Sequence, residues 1–163
     1  MYSIEAISAI KNFMISHNQT LAVAESVTSG HLQAALSLAA EASNFFHGGI
    51  TAYNLGQKAR HLHVNPIHAN ACNSVSEYVA DEMASNVLTL FSSDWAIAIT
   101  GYASPVPDLG INGLFAFYSI AHHSEIVRRG KLESENTGTL QVQVYFTNQV
   151  LQKLHDHLRG RRG

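Results

Sequence analysis

Three short polar segments of the sequence carry side chains that can act as nucleophiles or bases, and each follows an apolar run. The first covers residues 24–30, AESVTSG, and puts three hydroxyl groups where a predicted strand turns into a predicted helix. In α/β proteins, ligands bind beyond the carboxyl ends of strands, where helix N-termini offer free backbone N–H groups to anions. The turn can therefore hold a phosphate or supply the Ser26 hydroxyl as a nucleophile. Simple helix capping by Ser26 or Thr28 is the alternative interpretation, and the more common one.

The second segment covers residues 53–58, YNLGQK, and puts a phenol and an amine five positions apart. Tyr53 and Lys58 converge if the chain between them turns into a helix. A lysine becomes a useful base only when desolvation or a neighbouring positive charge lowers its pKa. In any other environment Lys58 is an ordinary surface lysine, which is the usual location of this residue type.

The third segment covers residues 100–105, TGYASP, and closes another apolar run. Gly101 beside Thr100 permits close approach of the backbone to a ligand. A plain turn is the favoured interpretation of this segment taken alone.

Ten histidines raise the question of a metal site. The histidines that are close in sequence form three pairs: His61 and His63, His122 and His123, and His155 and His157. Only the first pair is expected to face one side of an extended segment, because neighbours on a strand point to opposite faces and helical positions two apart diverge. The sequence contains neither an HExxH motif nor zinc-finger spacing, so we expect no metal.

Composition excludes several classes of protein. The chain has 163 residues, 46% of them hydrophobic and only 13% charged, and its formal net charge is −2. This length and apolar content predict one domain with a proper core and argue against disorder. The charge balance argues against a nucleic-acid partner. The single Cys72 fits a reducing compartment, and no signal peptide or membrane-length apolar run is visible, so we expect a cytoplasmic protein with no membrane contact.

The hydrophobic pattern predicts helices that alternate with strands, followed by a hairpin. The predicted elements are a helix over 4–15, a strand over 20–24, a helix over 28–40, a strand over 48–53, a turn at 65–66, a helix from a capping box of Ser74 and Glu77 to 91, a strand over 95–100, hairpin strands over 114–121 and 125–134, and a helix over 140–158. This order predicts an α/β fold, a three-layer α/β/α sandwich with a mixed sheet. One domain spans residues 1–163, with a flexible basic tail over 158–163.

Four segments of the sequence, taken together, resemble the C-terminal domain of the CinA (competence/damage-inducible) family. The family's AES-C-TGG segment is similar to residues 24–30, and its TYSNEAK-like segment is similar to residues 52–58 with the spacing from Tyr to Lys preserved. Its GAVSExVAxxMA segment is similar to residues 74–84, and its TGIAGP segment to residues 100–105. The four segments occur in the family's order at compatible spacing.

The resemblance implies a metal-independent amidohydrolase, because members of this family convert nicotinamide mononucleotide to nicotinate mononucleotide and ammonia. It implies Ser26 as nucleophile, with Tyr53 and Lys58 activating it or moving protons. Backbone N–H groups from Thr28 to Gly30 would stabilise an oxyanion or cradle a substrate phosphate. The implied substrate-binding residues are Glu25, Thr28, Ser29, Gly30, Thr100, Gly101 and Ser104. The resemblance further implies a small-molecule nucleotide as substrate, no cofactor, and a homo-oligomer.

Departures from the family pattern leave a second interpretation open. Ser29 and Ser104 stand where the family has glycines, and the family's GDR element near the last helix reads TGT at 137–139, without the arginine that would bind a phosphate with two donors. The chain could therefore be a diverged, catalytically weak or inactive member that binds a nucleotide or acts as an oligomeric interaction domain. A histidine-based metal carrier has only the composition in its favour.

Overall fold

A computed structural model describes residues 1–161 and contains a five-stranded sheet between two helical layers. The helices are α1 (Ile4–Ser16), α2 (His31–Ser37), α3 (Leu55–Leu62), α4 (Pro66–Ala71), α5 (Glu77–Leu90) and α6 (Thr139–Arg159). The strands are β1 (Leu21–Glu25), β2 (Phe46–Thr51), β3 (Trp95–Gly101), β4 (Leu114–His122) and β5 (Glu125–Ser134). Over residues 1–161, no helix has the length and apolar content to cross a membrane.

The sheet is mixed, as the sequence predicts. Its strand order is β2-β1-β3-β4-β5. Strand β1 pairs in parallel with β2 and β3, whereas β4 pairs antiparallel with both β3 and β5. Because β1, β2 and β3 are parallel, their carboxyl ends meet at one edge of the sheet. The three polar segments of the sequence therefore emerge next to one another.

The two faces of the central strands differ in side-chain size. On β1, Leu21 and Val23 belong to one buried cluster, with residues of α1, α2 and α6. Ala22 and Ala24 belong to the other, with residues of α3, α4 and α5. Strand β3 repeats the pattern, with large residues facing α1 and α6 and alanines facing α5. The strand period of two thus separates the core into two layers and confirms the predicted three-layer arrangement.

Two helix starts differ from the sequence prediction. The Asn65-Pro66 turn begins a helix, because the Asn65 side chain accepts from the N–H groups of Ile67 and His68 and proline fits the first helical turn. The cap of α5 is Ser76, whose hydroxyl accepts from the N–H of Val79, so the predicted capping box at Ser74 is wrong.

The observed bounds of α2 and α6 also differ from the predicted ones, 28–40 and 140–158. Helix α2 covers only His31–Ser37, because Ser29 and Gly30 before it have φ angles of 50° and 98°, in the left-handed region. Helix α6 continues to Arg159 and buries Leu158, so the basic tail predicted from residue 158 starts too early. Residues 162 and 163 of that tail lie outside the described residues.

Candidate active site

The turn after β1 is organised around the carboxylate of Glu25. This side chain is fully buried and accepts from Thr28 Oγ1 at 2.6 Å and from the N–H groups of Gly30 at 3.1 Å, Leu32 at 3.0 Å and Gln33 at 2.9 Å. Helix α2 has no side-chain cap of its own at Gly30, so the Glu25 carboxylate satisfies its first N–H groups. Glu25 and Thr28 therefore hold the turn in shape, and neither side chain is among the residues that line the cavity described below.

The predicted oxyanion and phosphate donors are also largely occupied. The N–H of Ser29 donates to the carbonyl of Ser26, and the N–H of Gly30 donates to Glu25. Between residues 26 and 31, the N–H groups of Val27 and Thr28 are the two without an acceptor within residues 1–161. Val27 lines the cavity described next, and an N–H directly after a nucleophile is a common oxyanion donor.

A cavity of about 430 Å³ opens at the carboxyl ends of β1, β2 and β3. Its lining residues are Ser26, Val27, Tyr53, Asn54, Leu55, Lys58, Asn70, Asn73, Ser74, Val75, Gly101, Tyr102, Ala103, Ser104, Val106 and Thr139. The three predicted catalytic side chains, Ser26, Tyr53 and Lys58, are all among them. Ser26 lies in the interior with 5% of its surface exposed, whereas Tyr53 is 66% exposed at the rim.

Lys58 reaches the cavity because the chain turns into α3 directly after Tyr53. The Asn54 side chain caps this helix by accepting from the N–H of Gln57 at 3.0 Å. Lys58 then lies one turn into the helix with 2% of its surface exposed. The sequence predicts that Tyr53 and Lys58 converge if the chain between them turns into a helix, and α3 is that helix.

The Lys58 amine is held by two acceptors. Its Nζ donates to Thr100 Oγ1 at 3.2 Å and to the Ser74 carbonyl at 3.4 Å, while Thr100 Oγ1 donates to the same carbonyl at 2.8 Å. Thr100 is fully buried and acts behind Lys58 instead of lining the cavity itself. The contact that the structure gives the Thr100 hydroxyl at this site is with the candidate base, Lys58.

Burial lowers the pKa of Lys58 from 10.5 to about 8, and the nearby Cys72 opposes this shift only partly. About a tenth of the amine is then neutral at pH 7, and about half at pH 8. A neutral amine has two N–H bonds, which match the two acceptors, and one lone pair for a proton. The environment that a catalytic lysine requires is therefore present at this position.

The remaining predicted residues divide between cavity and scaffold. Ser104 lines the cavity, but Ser29 and Gly30 do not. Gly101 lines it too, yet its own requirement is packing, because a Cβ there would overlap the carbonyl of Phe115 and the backbone of the adjacent residue on β4. The close approach that the sequence predicts at Gly101 is thus to a neighbouring strand.

The sequence does not predict the cavity wall formed by Asn70 in the last turn of α4 and by Asn73, Ser74 and Val75 between α4 and α5, nor Thr139 at the start of α6. Ser74 contributes its backbone carbonyl, which no residue type reveals. In the structure, this wall contains two consecutive polar residues with left-handed backbone, Asn73 at φ 52° and Ser74 at φ 61°. Within residues 1–161, no three histidine, cysteine, aspartate or glutamate side chains are grouped so as to hold a metal ion.

Comparison with known proteins identifies the family of this chain. The family model described as "CinA C-terminal domain" matches residues 4–158. The chain belongs to the CinA C-terminal domain family. A CinA-like protein of Trichormus variabilis is 40% identical over 98 residues, which cover 60% of this chain and 24% of that protein. A CinA-like protein of Picosynechococcus is 41% identical over 99 residues, 61% of this chain and 24% of its own length. The matched region thus spans about a quarter of these longer relatives.

Solved structures of the CinA family share the fold over nearly the whole chain. The competence damage-inducible protein A of Klebsiella pneumoniae superposes with a TM-score of 0.89 at 25% identity, over 95% of this chain and 96% of that one. A competence/damage-inducible protein of Agrobacterium tumefaciens has a TM-score of 0.82 at 20% identity, over 98% of both chains. The latter likeness concerns the fold alone.

Proposed function

We propose that this CinA-family domain is a metal-independent serine amidohydrolase that acts on nicotinamide mononucleotide or a related amide. The observation that supports the proposal most directly is the joint placement of Ser26, Tyr53 and Lys58 in the lining of one cavity. Family membership supports the reaction class, since the resemblance in sequence covers the segments that carry these three side chains. The substrate amide is converted to a carboxylate and ammonia.

The first step is attack by the Ser26 oxygen on the amide carbonyl carbon. Neutral Lys58 takes the hydroxyl proton, and the N–H of Val27 stabilises the negative oxygen of the tetrahedral intermediate. Within residues 1–161 the Ser26 hydroxyl makes no hydrogen bond, so its side chain can turn toward Lys58 when substrate enters. Candidate bases often move into hydrogen-bond distance only in the substrate complex.

The second step breaks the bond between carbon and nitrogen. The Lys58 ammonium gives its proton to the leaving nitrogen, either directly or through the Tyr53 phenol, which passes on its own proton and is reprotonated by Lys58. Ammonia then departs and leaves an ester on Ser26. Water attacks the ester carbon while neutral Lys58 accepts its proton, and Lys58 returns that proton to the Ser26 oxygen as the ester bond breaks. The acid product leaves and ionises to the carboxylate in solvent. Each proton taken by Lys58 is thus returned within the cycle.

The proposal is tested by incubating the protein with nicotinamide mononucleotide and measuring ammonia. We expect release by the wild-type protein, a loss of about 10³-fold or more in Ser26→Ala, and no change in Ser85→Ala, which removes an exposed hydroxyl on α5. The rate of the wild-type protein should rise with pH to a midpoint near 8, because the pKa of Lys58 is about 8. Absence of ammonia, or full activity of Ser26→Ala, would favour a binding or interaction domain without this chemistry.

A further inference from the structure

The cavity lining contains one side chain that can carry a full charge at neutral pH. Among its described residues, Lys58 is the only lysine, arginine, histidine, aspartate or glutamate. This lysine is 2% exposed, and its Nζ donates to Thr100 Oγ1 and the Ser74 carbonyl. Its place in the same cavity lining as Ser26 suits a proton transfer at the amide, and it is too enclosed to bind an anion at the cavity mouth.

The turn beside the nucleophile is unfavourable for a phosphate. Proteins bind phosphate with arginine, with lysine or with the free N–H groups of a helix start. The start of α2, which follows Ser26, already holds the Glu25 carboxylate on three of its N–H groups. A second anion at that helix start would meet a buried negative charge, and like charges at short distance repel strongly in a poorly solvated site. The N–H groups of Val27 and Thr28 remain in this turn, and the proposed reaction uses the first of them at the amide oxygen.

The rim of the cavity is polar and neutral. Its exposed side chains are Tyr53, Asn54, Asn70, Asn73, Ser104 and Thr139. Amide and hydroxyl groups can donate to and accept from the hydroxyl groups of a sugar, and the exposed Tyr53 ring offers a flat face to a heteroaromatic ring. The cavity volume of about 430 Å³ lies within the usual range for small-molecule sites.

We propose that this cavity recognises a carboxamide nucleoside through its base and its sugar, and that a phosphate on the sugar contributes little to binding. The inference rests on the proposed function for the choice of an amide substrate. The remaining anion donor near the rim is the start of α6, where Gly138 provides no side-chain cap. A helix start exposed to solvent favours an anion only weakly, because water and salt screen it.

The direct test measures binding to the Ser26→Ala protein by calorimetry, with nicotinamide riboside and nicotinamide mononucleotide as the two ligands. We expect dissociation constants that agree within about threefold, because a phosphate without a charged donor contributes little. Nucleotide binding about tenfold or more tighter than riboside binding would overturn the inference, as would failure of the riboside to bind. If the riboside binds but the wild-type protein releases no ammonia from either ligand, the proposed hydrolysis fails and this inference stands.

A second test adds the missing charge. Thr139→Arg puts a guanidinium at the rim, and we expect it to tighten binding of the nucleotide about tenfold while leaving the riboside unchanged. Thr137→Arg is the matched control, since Thr137 is exposed but does not line the cavity. Equal gains in the two variants, or no gain in Thr139→Arg, would contradict the placement of the sugar at this rim.

Discussion

A nitrogen base is buried or half-buried near each end of strand β3, but the groups around the two bases differ. At the carboxyl end, Lys58 lines an open cavity and donates to the Thr100 hydroxyl and the Ser74 carbonyl. At the amino end, the imidazoles of His122 and His157 pack against the buried ring of Trp95, with centroids 4.0 and 5.8 Å away. One end leaves space for a ligand beside its base, whereas the other is filled by rings.

At the Trp95 end, the His122 ring keeps hydrogen-bond contacts to Gln19 and Arg161, but burial among the rings leaves one nitrogen of His157 without a partner. His157 Nε2 is the one buried side-chain polar atom within residues 1–161 that lacks a hydrogen bond. Burial is the main reason why the pKa of His122 falls to about 4, and it also lowers the pKa of His157. The charged and titratable groups that act on the His122 ring are His123, Asp94, Arg161 and His157, and those that act on the His157 ring are Arg128 and Arg161. Among them Asp94 alone favours protonation.

The comparison teaches that a lowered pKa does not by itself identify a reactive site. Both ends lower the pKa of a base through burial, yet only at the Lys58 end do a nucleophile and an open volume accompany it. We therefore expect changes at Lys58 to affect the reaction, and changes at the histidines to affect the stability of the fold and its dependence on pH.

Replacement of Lys58 is expected to have the largest effect. In Lys58→Met, ammonia release should fall by about 10²–10⁴-fold, because the base is lost. The free energy of unfolding at pH 7 should stay the same or rise by about 1–2 kcal/mol, because methionine fills the space without burying a charge. Lys153→Met on α6 is the matched control. A large loss of stability in Lys58→Met would remove the contrast between the two ends.

Replacement of Glu25 tests whether a residue next to the nucleophile acts on the reaction directly or only through the stability of its turn. Glu25→Ala removes the acceptor of four hydrogen bonds, so we expect the free energy of unfolding to fall by about 3 kcal/mol or more. Activity should fall as well, because Ser26 lies in the turn that this carboxylate holds. Urea unfolding and ammonia release measured on the same samples separate the two effects. Normal stability with lost activity would instead indicate a direct role in the reaction.

Sequence patterns predict the framework of the site better than its details. Alternation of large and small residues on β1 and β3, and the parallel order that follows from intervening helices, are sufficient to bring Ser26, Tyr53 and Lys58 to one edge. The role of Glu25 could not be predicted, since its partners are mainly backbone N–H groups of its own turn. The role of the Ser74 carbonyl could not be predicted either, because every residue has a backbone carbonyl.

The histidine cluster was equally invisible in the sequence. His122 and His157 come together with Trp95 from positions far apart in the chain, through the pairing of β3 with β4 and the packing of α6 on the sheet. The sequence shows only which histidines are neighbours in the chain, and from that spacing it predicts no metal site. The structure shows instead that their partners are an indole ring and the guanidinium of Arg161, 5.4 Å from the Trp95 ring.

The smallest predicted effect is a loss of stability in mild acid. The pKa of His122 is about 4 in the folded protein, against 6.5 for an unperturbed histidine. The unfolded chain therefore binds a proton first, so the stability that neutral His122 contributes is complete above pH 6.5 and is lost as the pH falls toward 4. We expect a loss of about 1–2 kcal/mol in urea unfolding between pH 7 and pH 4.5, less than the full shift implies because solvent reaches part of the ring.

His122→Phe separates this effect from general acid sensitivity. Phenylalanine can keep the stacking on Trp95 but cannot bind a proton, so the slope of unfolding free energy against pH should become shallower below pH 6.5. His155→Phe, on the same helix as His157 but bonded only to Gln152, should keep the wild-type slope. If both variants keep that slope, the acid sensitivity arises elsewhere. If His122→Phe instead loses ammonia release at pH 8 while remaining folded, the two ends of β3 are coupled and their division into reaction and stability is wrong.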